Sequence, residues 1–132
     1  MSIADLRRDY RARALSEADA AADPLVFFRQ WFDEAVSADL NDANAMTLAT
    51  ASADGTPDGR IVLLKDVGPD GFTFFTNYDS AKGQELAANP RATLVFFWAA
   101  LERQVRVSGT VTRVDEAASD AFILACWGDP GI

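Results

Sequence analysis

The sequence predicts a mainly β domain with flanking helices, organised as an antiparallel sheet or a small barrel. Three observations lead to this prediction. Short segments rich in β-branched and aromatic residues follow one another, tight turn signals separate them, and one amphipathic helix pattern precedes them. The 132 residues suffice for a single domain, and the hydrophobic fraction of 49% provides enough apolar material for a small core.

The first elements along the chain are an arm and a helix. The segment Ile3 to Leu15 has few apolar residues and predicts a short surface helix or an ordered arm. With the polar stretch after it, this segment forms the N-terminal arm expected over residues 1–22. Asp23-Pro24 then starts a helix, because Asp suits the N-cap and Pro is tolerated at the first helical position. The helix is expected to end near Ala38. Its apolar residues recur every three or four positions and form one face: Leu25, Phe28, Trp31, Phe32 and Ala35.

About five strands are predicted after Asn41: Met46 to Ala51, Arg60 to Val67, Phe72 to Thr76, Ala92 to Trp98 and Gln104 to Val114. Turn signals at Asp54-Gly55 and Gly68-Pro69-Asp70-Gly71 separate the first three, and Ser80 to Ala88 predicts a short inserted helix. The nearly continuous apolar run Ala92 to Trp98 predicts a strand buried on both faces. Gln104 to Val114 alternates and should bury one face. No helical or strand period is evident in an atypical tail over residues 122–132.

Composition excludes several classes of function. The net charge of -8 argues against general affinity for nucleic acid or an anionic membrane, and no apolar run is long enough to span a bilayer. The lone Cys126 forms no internal disulfide and fits a reducing compartment, so a cytoplasmic protein is expected. The chain contains no histidine, which excludes histidine triads and histidine metal sites. No metal is expected, and the chemistry must come from other side chains or from a borrowed cofactor.

Four segments carry candidate binding residues, each with a simpler structural explanation. Arg60 and Lys65 bracket an aliphatic strand and would lie on opposite faces unless a bulge intervenes. Lys82 lies in the first turn of the predicted helix, where a bound phosphate would explain a cation, although a solvated lysine is the simpler explanation. The Gln104 amide can donate to and accept from a flavin or pyrimidine-like edge, although a glutamine on the sheet surface is the simpler explanation. Glu102 and Arg103 are most simply a surface pair.

The N-terminal residues Arg7, Arg8, Asp9 and Tyr10 could clamp an anion or form a solvated arm. Seven motifs follow one another along the chain: Leu6-Arg7-Arg8-Asp9-Tyr10, Asp23-Pro24-Leu25, Arg60-Ile61-Val62-Leu63-Leu64-Lys65, Phe74-Phe75-Thr76-Asn77, Ser80-Ala81-Lys82, Asn89-Pro90-Arg91 and Leu101-Glu102-Arg103-Gln104-Val105. Taken together in this order, from about Ile3 to Ala121, they resemble the motifs of the pyridoxamine 5'-phosphate oxidase family.

The resemblance implies a split β-barrel that binds FMN at a homodimer interface. Arg60 and Lys82 would hold the FMN phosphate, and Gln104 would hydrogen-bond the isoalloxazine ring. The flavin would be lined by Ile61, Val62, Leu63, Leu64, Lys65, Phe75 and Thr76. Lys65 would also approach the substrate, and Arg7, Arg8, Asp9 and Tyr10 would form a lid over it.

The implied reaction is oxidation of pyridoxamine or pyridoxine 5'-phosphate to pyridoxal 5'-phosphate. In such an enzyme FMN would supply the redox chemistry by accepting a hydride equivalent, and molecular oxygen would reoxidise it, so no side chain is predicted to be catalytic. Two departures from the family pattern stand out. Ala81 replaces a second cation found in many members, and Phe122 stands where a tyrosine begins the segment that grips the substrate phosphate. The pattern stops there, which predicts a truncated chain with a barrel incomplete at the C-terminus. The alternatives are a flavin-binding protein without turnover and a non-functional fragment.

Overall fold

The structure, a computed structural model, describes residues 2–5, 24–38, 42–76, 86, 88–114 and 121–126. After a single 3-10 turn at Ile3–Asp5, the regular elements are helix α1 (Pro24–Ser37) and strands β1 (Ala45–Ala51), β2 (Pro57–Gly68), β3 (Gly71–Phe75), β4 (Arg91–Trp98), β5 (Arg103–Arg113) and β6 (Ala121–Cys126). A second 3-10 turn, Ala99–Leu101, joins β4 to β5. The described part of the chain contains no helix long and apolar enough to cross a membrane.

The strands form a closed antiparallel barrel in the order β1-β2-β3-β6-β5-β4. Strands β1 and β2, and strands β2 and β3, pair as hairpins, as the turn signals in the sequence predict. At the first turn Gly55 adopts a φ of +90°, a conformation that glycine reaches without a steric penalty. The mainly β, antiparallel barrel is therefore confirmed.

Helix α1 packs its apolar face onto the barrel core. The fully buried ring of Phe28 lies with its centroid 5.0 Å from that of Phe72 and 5.1 Å from that of Phe96. Trp98 is also buried, and its indole N–H donates to the carbonyl oxygen of Ala43 at 2.8 Å. These contacts satisfy the polar atom of Trp98 and attach the helix to β3 and β4, so helix and barrel share one core.

Strand β4 differs from the prediction that it is buried on both faces. Ala92, Leu94, Phe96 and Trp98 are buried, but the ring of Phe97 is exposed. The prediction was wrong because an apolar residue on the outside of a barrel looks, in sequence, like one in a second core layer. Phe97 therefore belongs to the barrel surface.

Strand β6 closes a barrel that the sequence predicts to be incomplete. It pairs with β3 through Phe72↔Leu124 and with β5 through Val111↔Leu124, where these partners meet inside the core. Its sequence is apolar at all six positions, so the alternation of buried Phe122 and Leu124 with half-buried Ile123 is invisible before folding. The expectation of a barrel that is incomplete at the C-terminus is therefore wrong.

Glycines on both flanking strands let β6 approach closely. A Cβ at Gly71 of β3, whose φ is +133°, would lie 2.0 Å from the carbonyl oxygen of Leu124. A Cβ at Gly109 of β5 would lie 2.1 Å from the carbonyl oxygen of Ala125. Real Cβ atoms do not come this close to a backbone oxygen, so the closing strand requires glycine at both positions.

Candidate functional site

The predicted cofactor strand places its side chains on two surfaces. Val62 and Leu64 are buried in the core, whereas Ile61 and Leu63 are exposed on the outside of the barrel. Val62 and Leu64 can therefore line a flavin only through their backbone atoms. Arg60 is exposed, although it alternates in step with the inward-facing pair and pairs with the buried Leu48 of β1.

Lys65 lies at an irregularity in the β2–β3 ladder. Leu64 pairs with Phe74, but the next pair is Asp66 with Thr73, so the register shifts across Lys65. This is the bulge that the sequence analysis left open. The Lys65 ammonium lies 5.9 Å from the centroid of the exposed Phe75 ring, close enough for a weak cation–π attraction. The structure thus brings two predicted cofactor residues together on the outer surface.

Thr76 follows β3 and carries a buried hydroxyl. Its side chain is 6% exposed, and the hydroxyl has no hydrogen-bond partner within the described part of the chain. A buried polar group left unsatisfied costs about 1–3 kcal/mol. A hydroxyl in this state, directly after Phe75, suits the oxygen-rich ribityl or phosphate portion of a flavin nucleotide.

Gln104 lies on the other side of the barrel, at the start of β5. It pairs with Phe97 of β4, and both side chains are exposed. Together with Glu102 and Arg103 they line a cavity of about 420 Å³. The prediction that Glu102 and Arg103 form a surface pair is wrong for Arg103. Its side chain is only 10% exposed and forms an ion pair with Glu34 of α1.

The cross-strand register joins these residues into a band around the outside of the barrel. Leu63 pairs with Ala45, and side chains two residues apart on a strand share a face. Four of the eight exposed large hydrophobic side chains in the described part lie here: Ile61 (64%), Leu63 (40%), Phe75 (53%) and Phe97 (57%). We call these residues the outer band: Phe75, Leu63, Ala45, Phe97 and Gln104, with Ile61, Thr47, Val95 and Arg106 in the adjacent row.

The remaining predicted site residues lie outside the described part of the chain. These are Arg7, Arg8, Asp9 and Tyr10 of the predicted lid and Lys82 of the predicted phosphate site. The structure also reveals residues that sequence reasoning missed. Phe97 was assigned to a core layer, and the partnership of Arg103 with Glu34 joins residues 69 positions apart, which no local pattern signals.

Comparison with known proteins identifies the family. Residues 32–126 match the family model described as pyridoxamine 5'-phosphate oxidase. A pyridoxine/pyridoxamine 5'-phosphate oxidase from Cupriavidus metallidurans is 61% identical over 120 residues, covering 91% of this chain and 57% of the relative. The chain belongs to the pyridoxamine 5'-phosphate oxidase family. A relative of the same name from Thermosynechococcus vestitus is 60% identical over the same shares of the two chains.

Two solved structures have folds similar to that of this chain. PhzG from Burkholderia lata, in complex with tetrahydrophenazine-1-carboxylic acid, superposes with a TM-score of 0.73 at 26% identity, covering 80% of this chain and 53% of that one. HutZ, a heme storage protein from Vibrio cholerae, gives a TM-score of 0.61 at 10% identity, covering 83% and 94% of the two chains. The latter likeness concerns the fold alone. This member of the pyridoxamine 5'-phosphate oxidase family spans 57% of the length of the first curated relatives it matches.

Proposed function

We propose that this chain supports FMN-dependent oxidation of pyridoxamine and pyridoxine 5'-phosphate to pyridoxal 5'-phosphate, with molecular oxygen as electron acceptor. The observation that carries the proposal is the outer band. It gathers residues assigned to the flavin from several strands, and its apolar side chains are left exposed around Lys65 and Gln104. The relatives that share 60% identity or more carry the name of this activity.

The described residues suit FMN in chemical character. Leu63 and Phe75 offer an apolar surface for a flat aromatic ring, and the Gln104 amide can donate to and accept from its polar edge. The buried Thr76 hydroxyl has no hydrogen-bond partner in the described ranges, and the ribityl or phosphate oxygens would provide one. FMN would supply the redox chemistry, and the protein would supply binding and orientation.

The cationic residues would serve phosphate groups. Arg60 and Lys82 would bind the FMN phosphate, and Lys65 at the bulge would extend toward the substrate. Arg7, Arg8, Asp9 and Tyr10 would cover the substrate as a lid. Such charge-assisted contacts contribute about 1.5–3 kcal/mol each, so the loss of any one should weaken binding by a factor of ten or more.

A homodimer would complete this site. Lys65 and Gln104 lie at one end of the barrel on strands β2 and β5, which are three strand spacings, or about 14 Å, apart along the sheet. A ligand that touches both must span the band or lie between two copies of it. Exposed apolar side chains of this size are typical of surfaces that a partner covers.

Substitution of one band residue tests the dimer. Phe97→Glu places a charge in the band and should give a monomer by sedimentation equilibrium, with loss of flavin binding. The matched control is Val36→Glu on helix α1, which changes a similarly exposed apolar residue away from the band. A protein that remains dimeric with Glu at position 97, or that is monomeric before substitution, would contradict the proposed interface.

One observation favours a second candidate, a flavin-binding protein without turnover. The Phe122 side chain, at the position where the resemblance places the start of the substrate-phosphate segment, is buried and stacks on Phe74 with ring centroids 6.0 Å apart. A core side chain cannot contact a phosphate. Under this candidate FMN binds but substrate is not oxidised.

Two measurements separate the candidates. Titration of purified protein with FMN, followed by flavin fluorescence, should reveal a saturable site. Incubation of the loaded protein with pyridoxamine 5'-phosphate in air should then release pyridoxal 5'-phosphate and consume oxygen. Binding without product would select the second candidate, and the absence of binding would rule out both.

The lone Cys126 suggests a reducing compartment, so we expect the protein to act in the cytoplasm.

A further inference from the structure

Arg103 is held between two side chains of helix α1 at the first position of β5. Its guanidinium Nη1 donates to the Oε2 carboxylate oxygen of Glu34, and its Cζ lies 4.4 Å from the centroid of the Trp31 ring. The Arg103 side chain is 10% exposed, against 42% for Glu34. The charge is thus largely removed from water and is compensated by one carboxylate and one aromatic face.

The environment of this pair differs from that of another ion pair on the same helix. Arg29 and Asp33 are 3.4 Å apart, but both side chains are more than half exposed. Exposed pairs of this kind contribute little to stability, because water and salt screen them. Removing the partner of a buried guanidinium has a larger effect, since the charge that remains must find water or move. Arg103 therefore has one strongly preferred position. Because Arg103 is the first residue of β5, the position of the strand's start is fixed with it.

Gln104, the next residue, projects to the opposite side of the strand. Arg103 pairs with the buried Trp98 on the inner side, whereas Gln104 pairs with the exposed Phe97 on the outer side. Glu102 just before them adopts a left-handed conformation with a φ of 55° and donates its N–H to the carbonyl oxygen of Ala99 at 3.0 Å. The hairpin end is therefore fixed on its inner side by Trp98 and Arg103.

We propose that Arg103 is a positioning residue for Gln104. The link to Glu34 and Trp31 fixes the backbone of β5, and this in turn sets where the Gln104 amide meets the flavin. The proposal rests on the flavin-binding function proposed above. It assigns to helix α1, whose apolar face packs on the barrel core, an indirect influence on flavin affinity.

A double-mutant cycle tests the link. Glu34→Gln removes the carboxylate charge while keeping the size of the side chain, and Gln104→Ala removes the amide. The dissociation constants for FMN and riboflavin are measured on the full chain, at a temperature where circular dichroism shows each variant to be folded. Glu34→Gln should weaken binding of both flavins about five- to tenfold, as expected for one misaligned hydrogen bond. In the Gln104→Ala background, the same change should have almost no further effect.

The visible absorption spectrum of the bound flavin provides a second measure. Glu34→Gln and Arg103→Lys should shift the spectrum toward that of Gln104→Ala, whereas a purely structural role would lower the melting temperature and leave the spectrum unchanged. Arg29→Gln, which breaks the exposed pair on the same helix, is the matched control and should change neither quantity. An equal loss of affinity from Glu34→Gln in both backgrounds would overturn the proposal. If the unsubstituted protein binds no flavin, the proposed function fails first, and this inference fails with it.

Discussion

Gly109→Ala should weaken the closure of the barrel by β6. The new Cβ would lie 2.1 Å from the carbonyl oxygen and 2.8 Å from the carbonyl carbon of Ala125, and 2.9 Å from a methyl carbon of Leu124. A side-chain methyl can rotate away, but the two backbone atoms cannot. Strand β6 must therefore shift outward or separate from β5.

The expected loss of stability follows from two terms. Overpacking of a well-packed site costs about 1–3 kcal/mol. The five residue pairs between β5 and β6 run from Gly109↔Cys126 to Arg113↔Phe122, and the first lies at the substituted position. Loss of hydrogen bonds at that end adds about 1 kcal/mol. We expect a total of about 2–4 kcal/mol, a large part of the 5–15 kcal/mol that is typical of a folded domain.

Urea unfolding followed by circular dichroism measures this loss, and amide hydrogen exchange locates it. Exchange should accelerate most in β6 and in the paired part of β5. The control is Gly59→Ala on β2, where a Cβ would meet nothing closer than Cγ2 of Thr47 at 3.7 Å. This control should change stability by less than about 1 kcal/mol. Equal unfolding midpoints for the two variants would refute the close approach of β6.

Three further predictions concern the core, the Thr76 hydroxyl and a surface turn. Phe28→Ala removes a fully buried ring and should cost about 3–5 kcal/mol in thermal unfolding. Thr76→Val should leave the flavin-free protein as stable or more stable by about 1 kcal/mol, yet weaken FMN binding, because the hydroxyl has no hydrogen-bond partner among the residues that the structure describes. Hydrogen bonds from Ser52 and Thr56 lower the pKa of Asp54 from 3.8 to about 2. The stability that Asp54 contributes is therefore present above pH 3.8 and is lost as the pH falls through about 2, and Asp54→Asn should remove this pH dependence from urea midpoints.

Each of these predictions has a clear contrary result. Val26→Ala, at an exposed position on the same helix, is the control for Phe28, and equal melting temperatures would argue against the packing of α1 on the barrel. Unchanged FMN affinity in Thr76→Val would remove Thr76 from the flavin site. If Asp54→Asn and the unsubstituted protein lose stability in parallel between pH 4 and about 2, the turn hydrogen bonds do not stabilise the carboxylate.

Sequence periodicity predicted elements whose two faces differ in polarity. Strand β5 alternates Val105 and Val107 with Gln104 and Arg106, and the structure buries the valines as expected. Helix α1 likewise shows its apolar face in the spacing of Phe28, Trp31 and Ala35, all buried. In both cases one face contacts water and the other contacts the core, so polar and apolar residues alternate in the sequence with the period of the element.

Periodicity failed where both faces are apolar. Strand β6 has no polar position to reveal its alternation, and Phe97 on β4 is apolar although it is exposed. The candidate site shows a similar division. The resemblance pointed to Lys65, Phe75 and Gln104, but the ion pair of Arg103 depends on tertiary contacts that no local spacing encodes.

The position of β6 as the last described strand has a consequence for folding. Until residues 121–126 join, β3 and β5 each present an unpaired edge, and Phe72 and Val111 lack their partner Leu124. Unpaired edges beside exposed apolar side chains are templates for association between chains. The pairing of β3 with β6 also spans about 50 residues, so this closure is a slow, non-local step. Newly made chains should therefore be prone to aggregation for a time, and this time should depend on how quickly β6 pairs with both β3 and β5.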